Sequence, residues 1–213
     1  MKKLTLIFIP FFLMAAGCKK DGTGTPTQNN PPTTTKTNPA DTTTTPVTPT
    51  QPKPYSLTET FEYGSKTAYA PANVTLSSGV WYFDEALIGK TSADIKNGNA
   101  SARMNYAACA ITMMFDVSGI NQISFNYTLH IGSLQLMMST DGGKTFNQVG
   151  NTITSGSKST FTTASFKITT SSKVRFSIVK SAGGTNNIGG SDSMNIDDIT
   201  FEGTGDPGFT LTK

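Results

Sequence analysis

Histidine occurs once in these 213 residues, at His130, and cysteine twice, at Cys18 and Cys109. A zinc site, a histidine-metal nuclease centre or a Ser-His-Asp triad needs several such side chains at defined spacing, and none of those patterns is present. His130 shares the polar parity of Ser124, Asn126 and Thr128 and reads as a solvated strand residue. Cys109 lies in the apolar run Ala107-Ala108-Cys109-Ala110-Ile111 and reads as a buried thiol. Cys18 has another use, so no intrachain disulfide is expected. Charge is scarce as well. From Tyr55 onward, eleven Lys and Arg face twelve Asp and Glu, which excludes the broad basic surface of a strong nucleic-acid binder. Amphipathic helical repeats are absent. The longest apolar run, Leu4 to Ala16, is too short to span a bilayer. Two acid pairs, Asp84-Glu85 and Asp197-Asp198, are adjacent in sequence, so each pair points to opposite faces of a strand and makes no acid/base dyad alone. The Gly-rich stretch 183–190 leads into a strand rather than a helix, which argues against a phosphate loop.

What is present begins with an address. Met1-Lys2-Lys3 is a positive n-region, and the apolar run after it ends in Ala15-Ala16-Gly17-Cys18. This resembles a bacterial lipobox, in which residues 1–17 are removed and Cys18 becomes the lipidated N-terminus, holding the protein to a membrane without a transmembrane helix. Lys19-Lys20-Asp21 is similar to the surface-export signals of some outer-membrane lipoproteins, so the expected location is the outer membrane, at the cell surface. Residues 18–54 then form a stalk. From Lys19 to Pro54 there are thirteen Thr, eight Pro and no aromatic residue, too little apolar surface to fold. Fully extended at about 3.1 Å per residue, it reaches at most ~110 Å. Asp41-Thr42-Thr43 is similar to short bacterial O-glycosylation sites.

Residues 55–213 form the folded domain. Short runs of alternating apolar residues are separated by Gly, Ser and Asn turns: 57–63, 74–76, 79–83, 100–106, 111–117, 123–131, 134–138, 146–149, 161–168, 174–178 and 194–201. This pattern predicts an all-β antiparallel sandwich, a jelly roll. The expected core is Phe61, Val80, Met104, Ile111, Met113, Phe115, Ile123, Phe125, Tyr127, Leu129, Leu136, Phe166, Val174, Phe176, Ile178 and Ile199. Ser139 to Phe146 matches the Asp-box pattern S-x-D-x-G-x-T-[FW]. Physically it is a hairpin tip in which the Asp accepts backbone N–H bonds and the glycines supply positive φ.

The last strand carries a conflict. Met194 and Ile196 share one parity, Ile199 and Phe201 the other, and an unbroken strand cannot bury all four. A bulge at Asp197-Asp198 reconciles them and turns one aspartate toward the core or its rim. Glu59, with the parity of Leu57, Phe61 and Tyr63, faces inward on the first strand. First and last strands are therefore expected to meet, with a structural Ca²⁺ or similar cation held by Glu59 or Glu62 and Asp197 or Asp198. Lysine or backbone N–H groups are the other way to satisfy these acids.

Several stretches are familiar in combination: residues 59–67, 74–76, 79–83 and 86–89, then Asp94, Lys96-Asn97-Gly98, Ser101-Ala102-Arg103, the Asp-box and 195–199. They resemble the β-sandwich domain that precedes nuclease domains in secreted bacterial endonuclease lipoproteins and, more distantly, jelly-roll carbohydrate-binding modules. The resemblance implies an accessory module without a catalytic domain. Three functions stand open. A glycan is held by Arg103, His130, Gln135 and Arg175, with Trp81 or Tyr82 stacking on a sugar ring; the other reading of Trp81 is a core residue. A polyanion such as DNA meets a basic stripe of Arg103, Lys173, Arg175 and Lys180. Or the domain is a spacer or protein-interaction module.

Overall fold

The computed structural model describes residues 51–105, 108–181 and 193–212. Cys18 and the stalk up to residue 50 lie outside them, as does the Gly-rich stretch 183–190. The chain runs through β1 (Pro54–Glu59), β2 (Ala72–Leu76), β3 (Gly79–Asp84) and β4 (Ala86–Gly89). It continues with β5 (Ser101–Met104), β6 (Cys109–Met113), β7 (Ile120–Tyr127) and β8 (Leu134–Ser139). It ends with β9 (Asn147–Ile153), β10 (Thr162–Lys167), β11 (Arg175–Lys180) and β12 (Met194–Thr204). One sheet has the order β10-β7-β12-β5-β4, with β1 also paired to β12; the other has β2-β3-β6-β11-β8-β9. All pairings are antiparallel. From β5 onward the chain changes sheet at every connection but β8 to β9, the winding of a jelly roll.

Strand alternation places the core. Trp81 and Phe83 of β3, Ile111 and Met113 of β6 and Phe176 and Ile178 of β11 come from one sheet. Ile123 and Phe125 of β7, Met104 of β5 and Ile196, Ile199 and Phe201 of β12 meet them from the other. At about 25 cal/mol per Å² of apolar surface removed from water, this two-layer core is the main stabilising term. Three expectations need correction. Val80 is exposed, because the parity of β3 turns Trp81 and Phe83 inward and Val80 and Tyr82 outward. Phe115 is partly buried, past the end of β6, against the rings of Trp81 and Phe209. The first strand stops at Glu59, and Phe61 reaches the core from a turn with φ +60°, which leaves Tyr63 exposed.

The order of the central strand is decisive for the site. The first half of β12 pairs with β5, Met194 to Ile196 against Met104 to Ala102. Its second half pairs with β1, Ile199 to Thr204 against Glu59 to Pro54. Between them the register against β7 slips from Asp197 to Thr200, and Asp198 takes a positive φ of 48°. The expected bulge is there, and it marks the point at which β12 exchanges one neighbour for another.

Candidate functional site

Glu59 and Asp197 are both fully buried, on opposite faces of the same sheet. Glu59 points between the sheets. Its Oε1 accepts the N–H of Phe61 at 2.8 Å, and its Oε2 accepts the Ser77 hydroxyl, the Ser78 hydroxyl and the Ser78 N–H, each at 2.7 Å. Ser78 in turn accepts the indole N–H of Trp81 at 3.0 Å. The carboxylate therefore ties the first strand to the β2–β3 turn of the other sheet, and four donors compensate its burial.

Asp197 shares the outward parity of Asn195 and pairs with Asn126 of β7. It is buried because residues 90–100 fold back over the outside of β5 and β12. Asn97 donates its N–H to Asp197 Oδ2 at 2.8 Å, and Asp198 donates its own to Oδ1 at 2.9 Å. The amides of Asn97 and Asn126 both reach Asp198 Oδ2 at 3.0 Å. Glu62 Oε1 accepts Asn99 N–H at 2.7 Å and Ala100 N–H at 3.1 Å. Gly98, at φ +91°, has no room for a Cβ against that carboxylate. Three acids thus hold one loop, and among the described residues none of the three has a cationic partner. Burial pushes the Asp197 carboxyl up to about 7, with the charges of Asp198 and Glu62 adding to it against its two N–H bonds. Among the described residues no three His, Cys, Asp or Glu side chains converge as a metal cage.

The same loop carries a second buried acid. Asp94 Oδ1 meets Arg103 Nη1 at 3.1 Å and the Asn195 amide at 3.4 Å. Its Oδ2 accepts the Thr91 N–H at 2.9 Å and hydroxyl at 2.7 Å. Asn195 also donates to Ser101 Oγ at 2.9 Å and accepts Ile95 N–H at 3.2 Å. Burial alone would raise the Asp94 carboxyl; the Thr91 donors, Arg103 and Asn195 outweigh it and hold it below the ordinary carboxylate value. Gly89 lies directly beneath, where a Cβ would strike the Asp94 carboxylate.

Among the described residues, the outside of the second sheet has no such roof. Asn73, Tyr82, Thr112, Ser177, Met137 and Gln148 form one row across it. Tyr82 is 37% exposed, and Val80 and Met114 beside it are exposed too. Thr112 and Ser177 share a hydrogen bond at 2.6 Å. Gln135 donates to Gln148 at 3.0 Å and to Thr152 at 3.1 Å. Arg175 stands outward at the far end of β11, with Nε on Asp116 at 2.9 Å.

The five expected ligand-binding residues do not gather. Gln135 and Arg175 share this outer face. Trp81, 1% exposed, belongs to the core. Arg103 is on the other sheet, under the loop with Asp94. His130 is exposed in the segment after β7, which ends at Tyr127. The basic stripe is broken as well, because Lys180 turns inward, fully buried, onto the carbonyl of Asn105 at 3.0 Å. The Asp-box is a hairpin tip: Asp141 accepts the Lys144 and Thr145 N–H groups at 3.0 Å and the Thr145 hydroxyl at 2.7 Å. Those donors hold its exposed carboxyl far below the ordinary value. Asp94 and Asn195 were missed as a network, because alternation along a strand carries no signal for a loop that doubles back over it.

No family model matches the chain, and no curated protein matches it. Solved structures of similar shape include the K2 cleaved adhesin domain of Lys-gingipain, with 15% identity, a TM-score of 0.49 and coverage of 69% of this chain and 99% of that one. A family 29 carbohydrate-binding module has 11% identity, a TM-score of 0.45 and coverage of 70% and 89%. A mutant of such a module in complex with mannohexaose has 10% identity, a TM-score of 0.43 and coverage of 70% and 92%.

Proposed function

We propose that the chain is a surface-anchored lipoprotein carrying a non-catalytic binding module, and that its ligand is a carbohydrate held on the open face of the second sheet. The observation that carries this reading is the exposed Tyr82 ring, with Asn73 and Thr112 on the strands either side of it and Gln135 and Gln148 farther along the same face. A sugar ring has an apolar face and a polar rim. An aromatic ring with an exposed face, flanked by fixed donors and acceptors, matches both. The near-neutral domain supports a neutral ligand over a polyanion such as the nucleic acid of secreted nucleases. A glycan array, repeated with DNA at several salt concentrations, tests the reading. Saturable, salt-insensitive glycan binding supports it, and binding to DNA alone, falling steeply with salt, replaces it.

The anchor is tested separately. Cys18→Ser is expected to release the protein from the membrane fraction, and unchanged fractionation removes the anchor from the account. For the cation, the acids proposed are Glu62, Asp197 and Asp198; Glu59 faces the other side of the sheet and is left out. What supports a Ca²⁺ there is that all three bond the same loop and none has an ion pair among the described residues.

A further inference from the structure

Outside the core, beside the Asp94 network, a cleft of about 200 Å³ opens between residues 65–67, β4 and residues 90–94. Three cationic side chains line it, Lys66, Lys90 and Arg103, against one carboxylate, Asp94. That carboxylate is already engaged by Arg103, Thr91 and Asn195. Lys96 approaches from the same loop, its Nζ on the Thr91 carbonyl at 2.6 Å. Lys66 bonds the carbonyls of Ala68 and Ala86, with Asp84 and Glu85 in its vicinity. Arg103 is held on one side by Asp94 and on the other by Tyr69, whose ring centroid lies 5.8 Å from its guanidinium carbon. Its Nε is a buried donor without a hydrogen-bond partner, the one such side-chain atom among the described residues. Beside a cationic cleft, such a donor is one that a bound acceptor would meet.

We infer that this cleft is a subsite for a small oxyanion, a carboxylate or sulfate, with Arg103 and Lys90 as its principal cations. A planar guanidinium fixed by an acid and an aromatic ring is oriented for a charge-assisted bond to such a group. The cleft belongs to the first sheet, and the inference does not rest on the glycan reading of the second.

The test is a titration of the full-length chain at low ionic strength with sodium sulfate, sodium glucuronate and glucose, each judged against sodium chloride of equal ionic strength. Calorimetry and the shift in melting temperature are the readouts. Sulfate or glucuronate is expected to bind saturably and glucose not at all. Tighter binding of glucuronate points to an acidic sugar as the source, and tighter binding of sulfate to a sulfated or free anion; either supports the subsite. Arg103→Gln is expected to abolish binding. Because that change strands Asp94, the exposed Lys90→Glu is the second variant, with an expected loss of at least about tenfold. Tyr82→Ala is expected to leave anion binding unchanged. Binding no better than chloride, or anion affinity that survives Lys90→Glu, overturns the inference.

Discussion

The outer faces of the two sheets make a controlled comparison, because both sheets bury the same kind of aliphatic and aromatic residue on their inner sides. Over β5 and β12 of the first sheet, residues 90–100 close a lid; its own Asp94 and, beneath it, Ser101, Asn195 and Asp197 are buried and bonded to one another or to the loop. Over β3, β6 and β11 of the second sheet none of the described residues closes a lid, and Tyr82, Val80 and Met114 are exposed. The roofed face behaves as a small polar core, in which every acid must find donors. The open face has no such duty, and its side chains are available for a ligand.

The largest expected effect breaks the roofed face. Asp94→Ala removes the partner of a mostly buried arginine and leaves the Asn195 amide and Thr91 donors unmet. It is expected to cost about 3 kcal/mol in urea unfolding. Tyr82→Ala, on the open face, is expected to change stability by no more than about 0.5 kcal/mol. Equal costs would erase the distinction between the faces.

Next comes the cation. If Glu62, Asp197 and Asp198 take Ca²⁺, the melting midpoint rises with free metal, by about 2.7 kcal/mol of stability at one hundred times the dissociation constant. A midpoint that is the same in Ca²⁺ and in chelator, with no heat of binding, leaves the backbone N–H and asparagine amide donors as the partners of these acids.

The two buried acids of the roofed face, Asp94 in the lid and Asp197 under it, sharpen the comparison through pH. Asp197, raised to about 7, holds a proton in the folded chain that it gives up when unfolded near the ordinary carboxylate value. Its contribution to stability is complete below about pH 4 and is lost as pH rises through about 7. Asp94, held low, works in the opposite sense: its contribution is present above the ordinary carboxylate range and is lost as pH falls below it. In chelator, unfolding midpoints at pH 5 and pH 8 are therefore expected to differ in the parent chain and to converge in Asp197→Asn. A variant with the parent's pH dependence would assign the effect elsewhere.

The strands and the bulge were legible in the sequence because both follow from period-two burial. Four apolar residues on two parities, 194 and 196 against 199 and 201, require a register shift between them, and Asp198 supplies it. Glu59 was legible as an inward acid for the same reason. Its partners were not, since Ser77 and Ser78 belong to a turn in the other sheet. Asp197 shows the limit of parity: it faces outward with Asn195 and is buried all the same, under a loop without periodicity. Val80 was misplaced because β3 is apolar at every position from Val80 to Phe83, so its pattern alone does not choose between the two faces. The candidate ligand residues scattered for a related reason. Polar parity says that Arg103, Gln135 and Arg175 point away from the core, but not that they point from the same sheet.

The central claim is that the open face of the second sheet holds a sugar. Its most direct measurement is calorimetric titration of one oligosaccharide selected from the array into the parent chain, Tyr82→Ala and Ser124→Ala, the last on the outer side of the first sheet. The account predicts that Tyr82→Ala loses at least about tenfold in affinity, some 1.4 kcal/mol, while Ser124→Ala binds as the parent does. Undiminished binding by Tyr82→Ala, or a loss confined to Ser124→Ala, would contradict it.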